Sequence, residues 1–237
     1  MKLISKILVI GALGAMALGA VAQGRGGGRG FGGPPNKYGL LRSKDVQTDL
    51  KLSDDQVKKI EDIQAKEGEE MRTQRENMMA SGERSDMATM RAAMKKMNDT
   101  YAPQFDAVLN SDQKTRLLQL YVQDAKEQSL NDPEVQSKLG LSDDQIAKIK
   151  KLNDDHDKAN GAIFQKMFSQ EMTREDAQPI IQKNDSALKD ALAGLLTPDQ
   201  VTKFKDLQGA PFSGQFQQGF GGPGGGRGGR RGGGGGA

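Results

Sequence analysis

DVQTDLKLSDDQVKKI, residues Asp45–Ile60, aligns without a gap on EVQSKLGLSDDQIAKI, residues Glu134–Ile149, 89 positions further along the chain. A second pair, VLNSDQKTRLLQL (Val108–Leu120) and LLTPDQVTKFKDL (Leu195–Leu207), follows in the same order, 87 positions apart. Two matched anchors in one order read as an internal duplication of roughly 80 residues.

Each anchor carries the pattern Leu-[Ser/Asn/Thr]-x-x-Gln, and its chemistry is that of a helix start. Ser53, Asn110, Ser142 and Thr197 stand where an N-cap oxygen accepts a first-turn N–H. Gln56, Gln113, Gln145 and Gln200 stand at N3, from which a side chain reaches back to complete a capping box. The preceding Leu52, Leu109, Leu141 and Leu196 are N′ residues. Their staple partners are Val57, Ile146 and Val201, with Lys114 in the remaining copy. Asp54, Asp55, Asp143, Asp144 and Asp199 place negative charge on the positive end of the helix dipole, and Pro198 fits N1. The motif is therefore structural and gives no reason to expect catalysis.

Working outward, apolar residues recur at helical spacing. Val57, Ile60, Ile63, Met71 and Met78 share one face, and Met87, Met90, Met94, Met97, Tyr101, Phe105 and Val108 step by three and four. The second copy repeats this with Ile146, Ile149, Leu152, Ile163 and Met167, then Ile181, Leu188, Leu192 and Leu195. Breaks fall at Ala80-Ser81-Gly82 and Glu171–Thr173, with Ser85 and Thr173 as caps for the returning helices. Each copy thus reads as a short helix, two long antiparallel helices and a final helix. Pro103 and Pro179 lie inside long helices at positions that do not correspond between the copies.

The ends have a different composition. Lys2 and Lys6, the apolar run Ile7–Ala20 and the small residues Ala20 and Ala22 read as a signal peptide cleaved after Ala22. Residues 23–39 and 213–237 are dense in Gly and carry Arg25, Arg29, Arg227, Arg230 and Arg231. They are expected to be disordered, because they bury too little apolar surface to offset ordering entropy. The folded units are then 40–129 and 130–212. The body Leu40–Phe212 holds 26 basic and 31 acidic residues, so the positive charge sits in the tails. An acidic body behind an export signal argues against nucleic acid as a partner. The chain has no cysteine, which excludes disulfides and thiol chemistry.

The methionine stripe invites two readings. Met is flexible and polarisable, so an exposed Met face suits varied apolar partners; a stripe at this spacing is also the ordinary sign of a packed helix face. Met94, Tyr101, Phe105 and Val108 correspond to Ile181, Leu188, Leu192 and Leu195, which is how buried positions behave. Met87 and Met97 correspond to Arg174 and Asn184, which places those two nearer solvent. Met87, Met90 and Met97 are accordingly the candidate binding residues. His156 is the sole histidine, and Leu152, Asn153, Ala159 and Asn160, its neighbours on its own helix, neither orient the imidazole nor share a metal. No catalytic residue, metal site or cofactor site is expected.

With four such motifs on helical sequence, the chain resembles the LTXXQ-motif family of Spy/CpxP-like periplasmic proteins over about Leu40 to Gly209. The resemblance implies an all-α fold of two tandem Spy-like bent helical-hairpin units with disordered Gly/Arg-rich tails. It also implies an ATP-independent periplasmic chaperone for unfolded or misfolded envelope proteins. The same family carries a second expectation, a regulatory or metal-sensing protein whose partner is a sensor-kinase periplasmic domain. A third reading is structural, with the basic tails touching an anionic envelope surface. Only Leu196–Gln200 is a literal LTxxQ, and the acidic body departs from the basic client surface of Spy. Two units in one chain suggest a monomeric pseudo-dimer in place of the family's dimer.

Overall fold

The computed structural model describes residues 36–80 and 87–216, and no strand occurs among them. A 3-10 segment, Lys37–Arg42, leads into α1 (Lys44–Asp49), α2 (Asp54–Ala80), α3 (Met87–Val108) and α4 (Ser111–Ala125). A second 3-10 segment, Lys126–Asn131, leads into α5 (Pro133–Leu139), α6 (Asp143–Phe168), α7 (Arg174–Ala193) and α8 (Pro198–Leu207). The same order of elements occurs twice.

Local chemistry explains the short helices. Ser43 caps α1 by accepting from the Val46 N–H, and Asp132 caps α5 by accepting from the Glu134 and Val135 N–H groups. Both helices end in a left-handed residue, Lys51 at φ 51° and Gly140 at φ 65°. Leu52 N–H then reaches back to Gln47 O and Leu141 N–H to Gln136 O, at 3.1 and 3.0 Å. This is the Schellman closure, which satisfies carbonyls the helix leaves open. Gln47 and Gln136 also donate at 2.8 Å to Leu41 O and Leu130 O, tying each short helix to the 3-10 segment before it.

The long helices form two hairpins, α2 on α3 and α6 on α7. At ~1.5 Å per residue the outgoing helices α2 and α6 are about 40 Å long and the returning α3 and α7 about 30 Å. Their bases merge into one continuous core. Tyr38, Leu41, Phe105, Leu117 and Tyr121 pack in the same cluster as Leu130, Val135, Leu139, Ile149, Leu192 and Phe204. Further out, Ile163 and Ala177 are buried in the second hairpin without joining that cluster. Outer faces carry i,i+4 ion pairs such as Lys95–Asp99, Lys148–Asp144 and Lys150–Asp154, each worth only a few tenths of a kcal/mol.

The ordered body exceeds its expected limits at both ends. Lys37–Gly39 belongs to the first 3-10 segment because Asn36 caps it and Tyr38 is buried, stacking on Phe105 with centroids 5.1 Å apart. Residues 213–216 are held by Ser43 and Asp45 at the start of α1. Glycine content alone overlooked Tyr38 and Phe216 as anchors for these stretches. The expected signal peptide 1–22, the Gly-rich residues 23–35, the expected cap Ser85 and residues 217–237 lie outside the described residues.

The left-handed closure yields a test. Lys51 carries a Cβ penalty that Gly140 does not, so Lys51→Gly should stabilise the chain by about 1 kcal/mol in urea unfolding. Gly140→Ala should cost a similar amount.

Candidate functional site

Four capping boxes close. Ser53, Asn110, Ser142 and Thr197 accept from the backbone N–H of the Gln at N3. Each glutamine Oε1 in turn accepts the N–H of its own cap residue at 3.0 Å. The glutamines then do something the caps do not require. Gln56 Nε2 donates to Gln113 Oε1 at 2.8 Å, and Gln113 Nε2 returns the bond to Gln56 Oε1 at 3.1 Å. Gln145 and Gln200 make the same reciprocal pair at 2.7 and 3.0 Å. The second amide hydrogen of each goes to a carbonyl: Val108 and Leu50 in one pair, Leu195 and Gly140 in the other.

A primary amide offers two donors and two acceptor lone pairs, and each of these glutamines uses all four. That permits Gln113 and Gln200 to be buried, at 7 and 8 % exposure, without the penalty of an orphaned polar group. The pairs bolt the start of α2 to the start of α4, and the start of α6 to the start of α8. Helix capping was readable in the sequence; the cross-link was not. One signal could have found it, since the cap varies among Ser, Asn and Thr while the glutamine is the same in all four copies.

Met97 is buried, at 5 % exposure, inside the shared core cluster, and so is not the solvent-facing contact residue expected. The inference from its counterpart failed for a physical reason. Asn184 is also at the hairpin seam, where its Nδ2 donates to Asn160 Oδ1 at 2.7 Å. The exchange of Met for Asn marks a polar seam in the second hairpin, not an exposed position. Asn160 corresponds to Met71, which packs against the core of the first hairpin. Met87 and Met90 lie outside the described side chains.

His156 joins that polar seam. Its Nε2 lies 2.8 Å from Asp185 Oδ1 and its Nδ1 3.5 Å from Asp157 Oδ1. Asn160 Nδ2 is within 3.1 Å of the same ring nitrogen. The imidazole is therefore oriented from across the hairpin by Asp185 of α7 and, contrary to expectation, also touches Asn160 one turn along its own helix. Among the described residues no group of three His, Cys, Asp or Glu side chains is arranged to hold a metal.

Two phenols are buried donors. Burial, then the hydrogen bond with Asp106 and the charges of Asp106, Glu134 and Asp132, push Tyr38 far above the usual phenol range. Burial, then the 2.9 Å bond to Glu70, also raises Tyr101. Both stay neutral at physiological pH and tie 3-10 segment or hairpin to acidic neighbours.

Among the described residues, two large apolar side chains are exposed, both in the second hairpin. Phe168, the last residue of α6, is 69 % exposed, and Ile180 in α7 is 40 % exposed. Phe168 corresponds to Met79, so Met78-Met79 and Met167-Phe168 end the outgoing helices of the two hairpins. No described helix is long and apolar enough to cross a membrane. Compared with protein-family models, curated proteins and solved structures, the chain gives no match.

The glutamine pair can be tested apart from capping. Glutamate at N3 preserves a capping box but supplies no donor, so Gln113→Glu should leave Leu50 O and Gln56 Oε1 facing a carboxylate. A loss of about 2–4 kcal/mol is expected in urea unfolding at pH 7. Burial disfavours the ionised form of the new acid, so its pKa is higher folded than unfolded. The defect should therefore shrink as pH falls and the acid takes up a proton. A neutral substitution would reduce the glutamine to a cap.

Proposed function

We propose that the chain is a tandem pair of bent helical-hairpin units that acts in the periplasm, after export, as an ATP-independent chaperone-like protein for unfolded or damaged envelope proteins. The observation that carries this reading is the outer end of the second hairpin. There Phe168 and Ile180 stay exposed on otherwise charged helices, beyond the shared core. Burying one such aromatic against a client yields about 2 kcal/mol at ~25 cal/mol per Å², which on its own supports contact no tighter than tens of millimolar. Several weak contacts along a long hairpin hold varied clients and release them without nucleotide. The Met-rich outer segment that includes Met87 and Met90 gives the first hairpin a chemically similar end. The family resemblance points the same way, and a binding role accounts for these features without catalytic chemistry.

Two unrelated unfolded proteins should aggregate less in the presence of equimolar mature chain, with no nucleotide added. Phe168→Gln, which adds no charge at the helix C-terminus, should cost no more than about 1 kcal/mol of stability, yet require at least threefold more protein for half-suppression. No suppression of either client at several-fold excess would remove the chaperone reading.

A further inference from the structure

After α8 the chain turns at Gly209, whose φ is 61°, and residues 210–216 cross the face of the first half between α1 and α4. This strap is held almost wholly by its backbone. Gln123 Nε2 donates to Gln208 O and Ala210 O at 2.5 and 2.9 Å, and Gln123 Oε1 accepts from Phe212 N at 2.9 Å. Arg116 Nη1 donates to Ala210 O at 2.7 Å, steadied by a bidentate pair with Asp49 at 2.7 and 3.2 Å. Ser43 Oγ donates to Gln215 O and Asp45 Oδ2 accepts from Gln215 N, both at 2.8 Å. Phe212 and Phe216, with ring centroids 4.6 Å apart, are half-buried against the core. Between them the fit is close: a Cβ at Gly214 would lie 2.7 Å from Asp45 Cβ.

Main-chain recognition by fixed side chains, plus seats for two aromatics, lets a protein hold a short peptide through its backbone while the aromatic spacing supplies selectivity. The clamp is also not something each half needs in order to fold. Ser43, Asp45, Arg116, Gln119 and Gln123 correspond to Asp132, Glu134, Lys203, Asp206 and Ala210, which cannot reproduce it. We propose that the groove between α1 and α4 is a binding site for a polypeptide segment that bends at a glycine between two aromatic residues four positions apart. Residues 209–216 occupy it as a tethered, displaceable ligand. This deepens the chaperone reading and rests on it for the client's identity. A short tether gives the strap an effective concentration in the millimolar range, so free segments enter only when the strap is loosened or when they bind better.

The chain has no cysteine, which allows a clean lock. Asp45→Cys with Gly214→Cys places the two Cβ atoms close enough for a disulfide after an outward shift of about 1 Å. The probe is a fluorescein-labelled peptide of residues 209–216, read by anisotropy, with a twin in which both Phe are Ser. Reduced protein should bind the peptide saturably and the twin at least tenfold more weakly, and oxidation should lower affinity at least tenfold. Gly209→Val in the otherwise unaltered chain should strengthen peptide binding several-fold, because its side chain would meet Gln119 Oε1 at the 2.2 Å approach of a Cβ there. Equal binding in both redox states, or of both peptides, overturns the proposal. So does reduction that produces dimers with no peptide bound, which would assign the groove to a second copy's strap. Toggled peptide binding with no aggregation suppression in any form keeps the groove and removes the chaperone reading.

Discussion

Two amide side chains facing each other, with every donor and acceptor used, set the geometry of each half. The Gln56–Gln113 pair fixes where α2 and α4 begin relative to one another, 57 residues apart in the chain. Since α3 must span the distance between them, the hairpin's return path is set by the same pair. An amide is suited to this in a way that a carboxylate or a lysine is not. It is uncharged, so burial carries no Born penalty, and it is self-complementary, so the identical residue serves on both helices. The cap oxygen tolerates Ser, Asn or Thr because it serves only one N–H.

With the bases fixed alike, the two hairpins are free to differ along their length. The first fills its middle seam with Met71, Met97 and the Tyr101–Glu70 bond. The second uses His156, Asn160, Asn184 and Asp185, each bonded to another of the four. A polar seam is directional, and it fixes register at a cost in burial; an apolar seam yields more hydrophobic stabilisation with less specification of register. The same backbone plan therefore carries two hairpins of different seam chemistry, one mainly apolar and one polar.

Helix positions, the turn at Glu171–Thr173 and the four caps were legible in the sequence because each depends on residues within a few positions of one another. What escaped depends on residues brought together by the fold. Asp185 reaches His156 from 29 positions away, Gln113 reaches Gln56 from 57, and Gln215 reaches Ser43 from 172. Met97 shows the limit of comparing copies: a polar counterpart says that a position tolerates polarity, and a seam with its own hydrogen-bond partners tolerates it while buried. Composition misplaced the ends for a related reason. The Gly-rich average of residues 213–237 hides the first four, where Phe216 joins Phe212 as an apolar anchor and Gly214 fits where a Cβ would collide.

The distribution of core and charge also implies a gradient of stability. Leu117, Leu118, Leu120, Leu130, Leu139 and Leu192 are fully buried at the joined bases, where opening exposes the most apolar surface. Outward along the second hairpin burial thins to Ile163 and Ala177, then to Phe168 at 69 % exposure. Local opening free energies follow such gradients, so the outer end of the second hairpin opens at lower cost than the bases that the glutamine pairs hold. The strap sits on the opposite, rigid part of the molecule, against α4. A yielding apolar end and a rigid main-chain-reading groove in one chain would engage different features of the same unfolded segment, and two weak contacts on a common scaffold hold far longer than either alone.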